Sequence, residues 1–368
     1  MKFCIIGAGN GGRAFAVYLA SLNHAVNLYN RSLERISDII KKGGIKSTGE
    51  INGFFPLEII TQDIKLAVRN VDVVLVVTPA SAHADIAREI APYLSYGQIV
   101  LLNPGRTFGA VEFKKIIEQE RKLSPVVIAE TQTLLFTSRA LTKNEVEILK
   151  IKNSVDFCAY PEELTDFVFS RIQDVFPQLN PVNNYLKVTL NNIGMLLHPT
   201  LSLLNASAMD SGRKFKFYKE GASPRSCKLL DAIELEINKV YQRLGLKQLR
   251  FCEWVRNSYG VEEESHYDAI QNIEAYKNIK APKKLTTRYF TEDVPTGLVP
   301  IASLADLLSV DAPLINSIIN LSSILCGIDF QKKGRTVYNL KLIDYIKEKV
   351  FSTNFLEIKQ GQNTEMDT

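Results

Sequence analysis

The stretch KFCIIGAGNGG at residues 2–12 leaves the chain few folds to choose from, because a short apolar strand runs into a glycine cluster and then into a helical pattern, RAFAVYLASL. Gly7, Gly9 and Gly12 have the spacing G-x-G-x-x-G, with Asn10 and Gly11 between the last two. Between a strand and a helix, the first glycine makes a tight turn, the second lets backbone approach a pyrophosphate, and the third lets helix and strand pack closely. The helix N-terminus then faces the phosphates. The same spacing occurs in glycine-rich turns that bind nothing. What favours a dinucleotide is the order strand, turn, helix, strand, with Ala25–Tyr29 as the second strand. About twenty positions after the glycines, an acidic residue would hydrogen-bond the ribose 2′-hydroxyl of NAD. This chain has Asn30-Arg31-Ser32 there. Asn30 carries no charge to repel a 2′-phosphate, and the Arg31 guanidinium can pair with phosphate oxygens and lie on adenine. NADP(H) is therefore the expected cofactor and NAD(H) the alternative; the competing reading leaves Arg31 a solvated residue opening the helix SLERISDIIKK.

From residue 1 to about 180 strand and helix patterns alternate, with a glycine-punctuated hairpin-like stretch at GGIKSTGEINGFFPLEII. The uninterrupted β-branched run VDVVLVV (71–77) reads as a central parallel strand buried on both faces. Ligands of such sheets sit at the carboxyl ends of the strands. Those ends are Gly7, Asn30, Thr78 with Pro79, Asn103 and Glu130, which line one crevice in this reading. EVEILKIK and SVDFCAY read as two closing strands, and PEELTDFVFSRIQDVF as the helix completing the domain.

After LNPVNN helical periodicity takes over. The clearest helix is capped by Ser223, has Pro224 at its first position, places Leu229, Leu230, Ile233, Ile237, Val240, Tyr241 and Leu244 on one face, and stops at Gly245. Another spans Asp311 to Gly327. The expected fold class is α/β: a Rossmann dinucleotide-binding domain over 1–180, an all-helical substrate domain over 181–355 with the active cleft between them, and a disordered tail at 356–368.

With 368 residues and 46% hydrophobic content the chain can bury two cores. A net charge of +4, spread along the chain, gives nucleic-acid binding little support. No apolar run approaches the roughly 20 residues that span a bilayer, so no membrane partner is expected. The amino terminus does not read as a signal peptide. Five cysteines (Cys4, Cys158, Cys227, Cys252, Cys326) are odd in number, scattered and without C-x-x-C, which reads as reduced thiols of a cytoplasmic protein. Four histidines without His-x-x-x-His spacing give no metal site.

Among those histidines, His198 precedes Pro199 in NNIGMLLHPT. A residue before proline is pushed out of the α region, so the helix from Tyr185 is expected to end or kink at His198 and present the imidazole at its terminus. That suits a cleft residue, and it also suits a satisfied core or capping histidine. His83 and His266 sit in polar helical stretches and His24 in a turn, and are read as structural. TTRYFTEDVPTGLVP (286–300) reads as a loop leading into a helix. Its Asp293 could stabilise a protonated imidazole and its Arg288 could clamp a carboxylate, unless the segment is simply a solvated helix cap. The stretch GRKFKFYKEGASPRSCK (212–228) has six basic residues and one acid, and reads either as an anion-recognition face or as a solvated one.

The glycine cluster, LNPGRTFGA (102–110), AET (129–131), the NN…HPT stretch, FYKEGASP (217–224), RYFTEDVPTGLVP and GRT (334–336) together resemble the opine dehydrogenases, the octopine/nopaline dehydrogenase family, over roughly residues 1–345. The glycine motif is shared with many dehydrogenases, whereas the HP and EDVPTGLVP motifs are far more specific. The resemblance implies NAD(P)H-dependent reductive condensation of an α-keto acid with the amino group of an amino acid or related amine, in a cytoplasmic homodimer. It implies that His198 is the catalytic histidine, Asp293 its partner, and Arg288 the arginine holding the keto-acid carboxylate. Two other readings stand beside it. One is a keto-acid or carbonyl reductase of the ketopantoate reductase or glycerol-3-phosphate dehydrogenase type, where a lysine is the main acid. The other is a non-catalytic NAD(P) sensor.

Overall fold

The computed structural model describes residues 1–121 and 126–350; the tail expected at 356–368 lies outside them. The chain divides into two compact units. The first is Met1–Asn192 with the later segments Val255–Glu262 and Ile273–Asn278, and the second is Ile193–Trp254, Glu263–Asn272 and the chain from Ile279 onward.

The first unit opens with β1 (Lys2–Ile6), α1 (Asn10–Ser21), β2 (Ala25–Tyr29), α2 (Leu33–Lys42), β3 (Gly44–Gly49), β4 (Gly53–Pro56) and β5 (Ile59–Thr61). It continues through α3 (Ile64–Val68), β6 (Val73–Val76), α4 (His83–Ile90), β7 (Ile99–Leu102), α5 (Gly109–Glu120) and β8 (Val127–Thr131). Then come β9 (Phe136–Ala140), β10 (Glu145–Ile151), β11 (Val155–Tyr160), α6 (Thr165–Ile172), β12 (Leu179–Pro181) and α7 (Tyr185–Leu190). Eight strands form the main sheet in the order β12-β11-β8-β7-β6-β1-β2-β5, with β11 antiparallel to β8. The chain winds outward from β1 in both directions, so strand order reverses between β1 and β6, the point where such sheets open a crevice. Every residue of β6 and β7 is buried, as strands covered on both faces require. α7, although it follows residue 180, packs on β8 and β11 of this unit.

The structure corrects one closing strand of the sequence reading. SVDFCAY joins the main sheet as β11, but EVEILKIK, as β10, belongs to a separate four-stranded sheet of order β4-β3-β10-β9. The reason is in its pattern: Val146 and Ile148 are buried while Leu149 is exposed, the period of two of a strand with one covered face. This second sheet packs on α1, which is consequently buried all the way from Gly11 to Leu19 rather than along one stripe. Phe15 and Tyr18 of α1 make ring contacts with Phe136 of β9 and with Phe176.

The second unit is built from α8 (Ile193–Leu204), α9 (Ala206–Asp210), α10 (Pro224–Arg243), α11 (Phe251–Tyr259, its second half counted in the first unit), α12 (His266–Asn272), α13 (Arg288–Thr291), α14 (Val299–Leu307), α15 (Pro313–Cys326) and α16 (Phe330–Lys333). α10 starts as its sequence requires: the Ser226 N–H donates to Ser223 Oγ at 3.2 Å and the Ser223 N–H donates to Ser226 Oγ at 2.8 Å. Two buried glutamates on α10 serve other helices. Glu234 accepts from the Phe251 N–H at 2.6 Å, and Glu236 accepts from Leu314 and Ile315 N–H at 3.0 Å, placing negative charge at the starts of α11 and α15.

Two further expectations are corrected here. The helix from Tyr185 ends at Leu190, and a new helix, α8, continues past His198 and Pro199 to Leu204, so the imidazole projects from the side of a helix rather than from its end. A proline inside a helix costs about 3 kcal/mol. Against that, Leu196, Leu197 and Leu201 are buried against surrounding helices, each contributing roughly 1.5–3 kcal/mol, so packing overrides the local preference. The segment 286–300 is not a loop: α13 is followed by a π-helical turn at Val294–Leu298 that leads directly into α14. Among the described residues no helix is long and apolar enough to cross a membrane.

Candidate active site

The glycine turn lies at the carboxyl end of β1, at the switch point. Gly7 has φ +113°, and a Cβ there would stand 2.5 Å from the Val77 carbonyl oxygen; at Gly12 a Cβ would stand 1.7 Å from the Gly7 oxygen. Both positions exclude any side chain. Gly9 differs, since a Cβ there would meet nothing within 4 Å. The protein itself does not need a glycine at that position, whereas a pyrophosphate approaching the backbone does. The residues present therefore fit a dinucleotide. Asn30 at the end of β2 accepts from the Ala8 N–H at 3.1 Å, and Arg13 donates to the Ala8 carbonyl at 3.0 Å, so the turn is braced from both sides. The sequence reading passes over Arg13, whose buried guanidinium also donates to the Thr142 and Arg35 carbonyls. Arg31 is exposed beside Asn30. Asn10 accepts from the Ala140 N–H at 3.0 Å, and Gly11 packs under Leu134.

At the neighbouring strand ends Pro79 is exposed, and the Thr78 hydroxyl is buried without a hydrogen-bond partner. Asn103 and Glu130 lie below the surface. The Asn103 side-chain oxygen Oδ1 accepts from Leu135 N–H at 3.4 Å, and the Glu130 carboxylate accepts from Ala110 N–H at 2.6 Å in the first turn of α5. Arg106 and Phe108, in the LNPGRTFGA stretch, both hold φ +61°, a conformation costing about 1–3 kcal/mol in a residue with a side chain. Thr189 holds this strained turn, accepting from the Phe108 N–H at 2.6 Å, and Arg106 donates to Asn192 at 2.9 Å. Lys152, also unremarked in the sequence, is buried, with its ammonium nitrogen 2.9 Å from the Thr133 hydroxyl. Burial, and then the charge of Arg106, lower its pKa to about 7.

In the second unit, His198 and Asp293, 95 residues apart, meet. The Nδ1–H of His198 donates to Asp293 Oδ2 at 2.7 Å, and Asp293 is fully buried. The other ring nitrogen, Nε2, is 2.8 Å from the hydroxyl of Tyr218. Tyr289 stacks on the imidazole, with centroids 4.2 Å apart and planes 15° from parallel. Burial pushes the Tyr289 hydroxyl above its ordinary range, with the Arg288 charge opposing and Asp293 adding to it, so it stays protonated. Each partner is positioned by its own element. The Asp293 N–H donates to the Arg288 carbonyl at 3.2 Å, the wide turn of a π-helix, and Arg335 of GRT fixes that turn from outside by donating its N–H to the Pro295 carbonyl at 2.9 Å. Phe217 N–H donates to the Ile279 carbonyl at 2.8 Å, and Asn205 ties α8 to Gly221 at 2.9 Å, which places Tyr218 against His198. Arg288 is exposed, its guanidinium 5.9 Å from the Tyr289 ring.

Sequence reasoning thus names the dyad and misses Tyr218 and Tyr289, although FYKEG and RYF contain them; no local pattern marks a tyrosine as a histidine partner. His83 and His266 are both buried, and His266 pairs with Asp231 at 2.6 Å and stacks on Phe251. All five cysteines are free thiols.

Comparison with known proteins agrees with both units. Residues 181–326 match the family model described as NAD/NADP octopine/nopaline dehydrogenase, alpha-helical domain, and residues 3–130 match that of ketopantoate reductase. The chain is 39% identical to an opine dehydrogenase of Arthrobacter sp. (strain 1C), covering 92% of this chain and 95% of the relative. It is 23% identical to a vitopine synthase of Allorhizobium ampelinum over 93% and 95% of the two chains. Among solved structures, octopine dehydrogenase with NADH and pyruvate superposes with a TM-score of 0.73 at 18% identity over 92% and 95% of the chains. Yersinopine dehydrogenase with NADP+ gives a TM-score of 0.71 at 14% identity over 96% and 99%.

Proposed function

The chain belongs to the octopine/nopaline dehydrogenase family, and from that premise we propose that it condenses a small α-keto acid with the amino group of an amino acid or related amine and reduces the product with NADPH. It is an NAD(P)-dependent oxidoreductase acting on CH–NH groups. The choice of NADPH and the role of each residue are our inference. The observation that carries it is the buried Asp293–His198 pair.

Condensation needs a group that takes a proton from the incoming ammonium and returns one to the oxygen that leaves. Imidazole does both near neutral pH. Asp293 fixes the tautomer with Nδ1–H and stabilises the imidazolium, leaving Nε2 as the working nitrogen. Arg288, beside the aromatic floor of the site, would hold the keto-acid carboxylate, and positioning of this kind can supply several kcal/mol of the barrier. The turn at Gly7, Gly9 and Gly12, with the amide groups opening α1, would hold the pyrophosphate, and Arg31 the 2′-phosphate. When bound, the nicotinamide supplies the hydride that reduces the carbon–nitrogen double bond.

The test is whether NADPH oxidation in the presence of pyruvate requires an added amine, with the product identified by mass. We expect an absolute requirement for the amine and a secondary amine dicarboxylate as product with amino acids. Oxidation with keto acid alone, at the same rate, would support the second reading, a ketopantoate-reductase-like activity. One observation favours that reading: Lys152, buried with a pKa of about 7, is a usable acid.

A further inference from the structure

Both nitrogens of the His198 ring are hydrogen-bonded to protein. Nδ1 is committed to the Asp293 carboxylate at 2.7 Å, so every proton the imidazole exchanges with anything else passes through Nε2, and Nε2 is 2.8 Å from the Tyr218 hydroxyl. A neutral imidazole accepts from that hydroxyl, and an imidazolium donates to it. A phenol oxygen has one proton to give and two lone pairs, so it can take from Nε2 while giving to a third atom. The rest of Tyr218 is held firmly. Its ring meets Phe217 edge-on with centroids 5.0 Å apart, its carbonyl faces the Gln271 amide at 3.5 Å, and Lys219 beside it is anchored on the Ile270 and Gln271 carbonyls.

We propose that Tyr218 is a catalytic residue, its hydroxyl carrying protons between His198 Nε2 and the reacting nitrogen and oxygen of the substrates. This rests on the condensation reading. In the first step the ammonium gives a proton to the Tyr218 oxygen as the Tyr218 proton moves to Nε2, leaving a free amine and an imidazolium. The amine lone pair forms the C–N bond, the carbonyl π pair moves to oxygen, and a proton passes from that nitrogen to that oxygen, giving a neutral carbinolamine. In the second step Tyr218 gives its proton to the carbinolamine hydroxyl and recovers one from Nε2. The C–O bond breaks with its electron pair, water leaves, and the nitrogen lone pair makes the protonated C=N bond. The proton taken from the ammonium is the one returned to water, and His198 ends neutral, as it began.

Tyr218→Phe tests this, since it keeps the ring and removes only the hydroxyl. Alongside the wild type with pyruvate and its amine, we expect kcat to fall on the order of 10²-fold, the scale of a lost acid–base group, with NADPH binding and melting temperature close to wild type. A loss of less than tenfold overturns the proposal, because the hydroxyl is then only a partner that substrate displaces from Nε2. Should the phenylalanine variant not fold, 3-fluorotyrosine at 218 keeps the hydroxyl and makes it more acidic. The pH profile of kcat then shifts to lower pH if Tyr218 carries the proton, and an unmoved profile overturns the proposal. The charged and titratable neighbours, His198, Asp293, Arg288, Tyr289 and Lys219, are common to both enzymes, so a shift reports on residue 218. If the wild type proves independent of amine, both this proposal and the condensation reading fall. If it requires amine while Tyr218→Phe keeps its turnover, only the role of Tyr218 falls.

Discussion

The glycine turn after β1 and the histidine cluster on α8 differ in what holds them together. At the turn, the determinants are backbone positions within six residues: a left-handed Gly7, an open Gly9, and a Gly12 against the Gly7 oxygen. In the cluster they are side chains from 198, 218, 289 and 293, brought together by a helix that ignores its own proline, a turn tied by Asn205, and a π-helical turn. Backbone requirements are local and therefore leave a spacing in the sequence. Side-chain assemblies are made by packing and leave none.

The comparison can be broken most forcefully at the cluster. His198→Ala should lower turnover by roughly 10² to 10⁴ while leaving NADPH affinity, which we assign to the first unit, near the wild-type value; joint loss of both would mean the histidine is structural. Within the turn, Gly12→Ala and Gly9→Ala should part ways. The first forces a Cβ to 1.7 Å from backbone and should destabilise the fold by at least roughly 1–3 kcal/mol, the cost of overpacking. The second has open space, so its melting temperature should hold while NADPH binding weakens; equal melting temperatures for the two variants would contradict the roles given to them.

A smaller effect concerns Lys152. Its folded pKa of about 7 lies below the ordinary lysine value, so the unfolded chain binds more protons between the two. The cost to stability is full below about pH 7 and is relieved as pH rises toward about 10. Between pH 7 and 9 this one group should add about 2 kcal/mol of stability. Lys152→Met should flatten that rise in urea unfolding, and an unchanged slope would show that the ammonium is not desolvated. Smallest is Arg31→Ala. The side chain is exposed, so its pairing with a 2′-phosphate should be worth about 1 kcal/mol, roughly a fivefold weakening of NADPH. NADH should change little, and equal losses for both cofactors would remove Arg31 from the 2′-phosphate.

How much of this was legible follows from the same contrast. The alternating strands, the crevice order Gly7, Asn30, Thr78, and the capped α10 all stand in the sequence because each depends on near neighbours. The alternation of β10, with Val146 and Ile148 buried and Leu149 exposed, is likewise a local signal and marks a strand with one covered face. The course of α8 through Pro199 was not readable locally, since three buried leucines outweigh one lost backbone bond only once the surrounding helices are in place. Only the family resemblance pairs His198 with Asp293, and nothing in the sequence pairs Tyr218 with them.

The central claim is that Asp293 and His198 act as one unit, and the double-mutant cycle of His198→Ala and Asp293→Asn measures it directly, with NADPH binding as the folding control. Asp293→Asn keeps size and a hydrogen-bonding group but removes the charge that stabilises the imidazolium. If the two residues form one acid–base device, the double variant should turn over about as slowly as His198→Ala alone. Losses that multiply would show that the two act independently, and the buried pair would have to be assigned to folding rather than to the reaction.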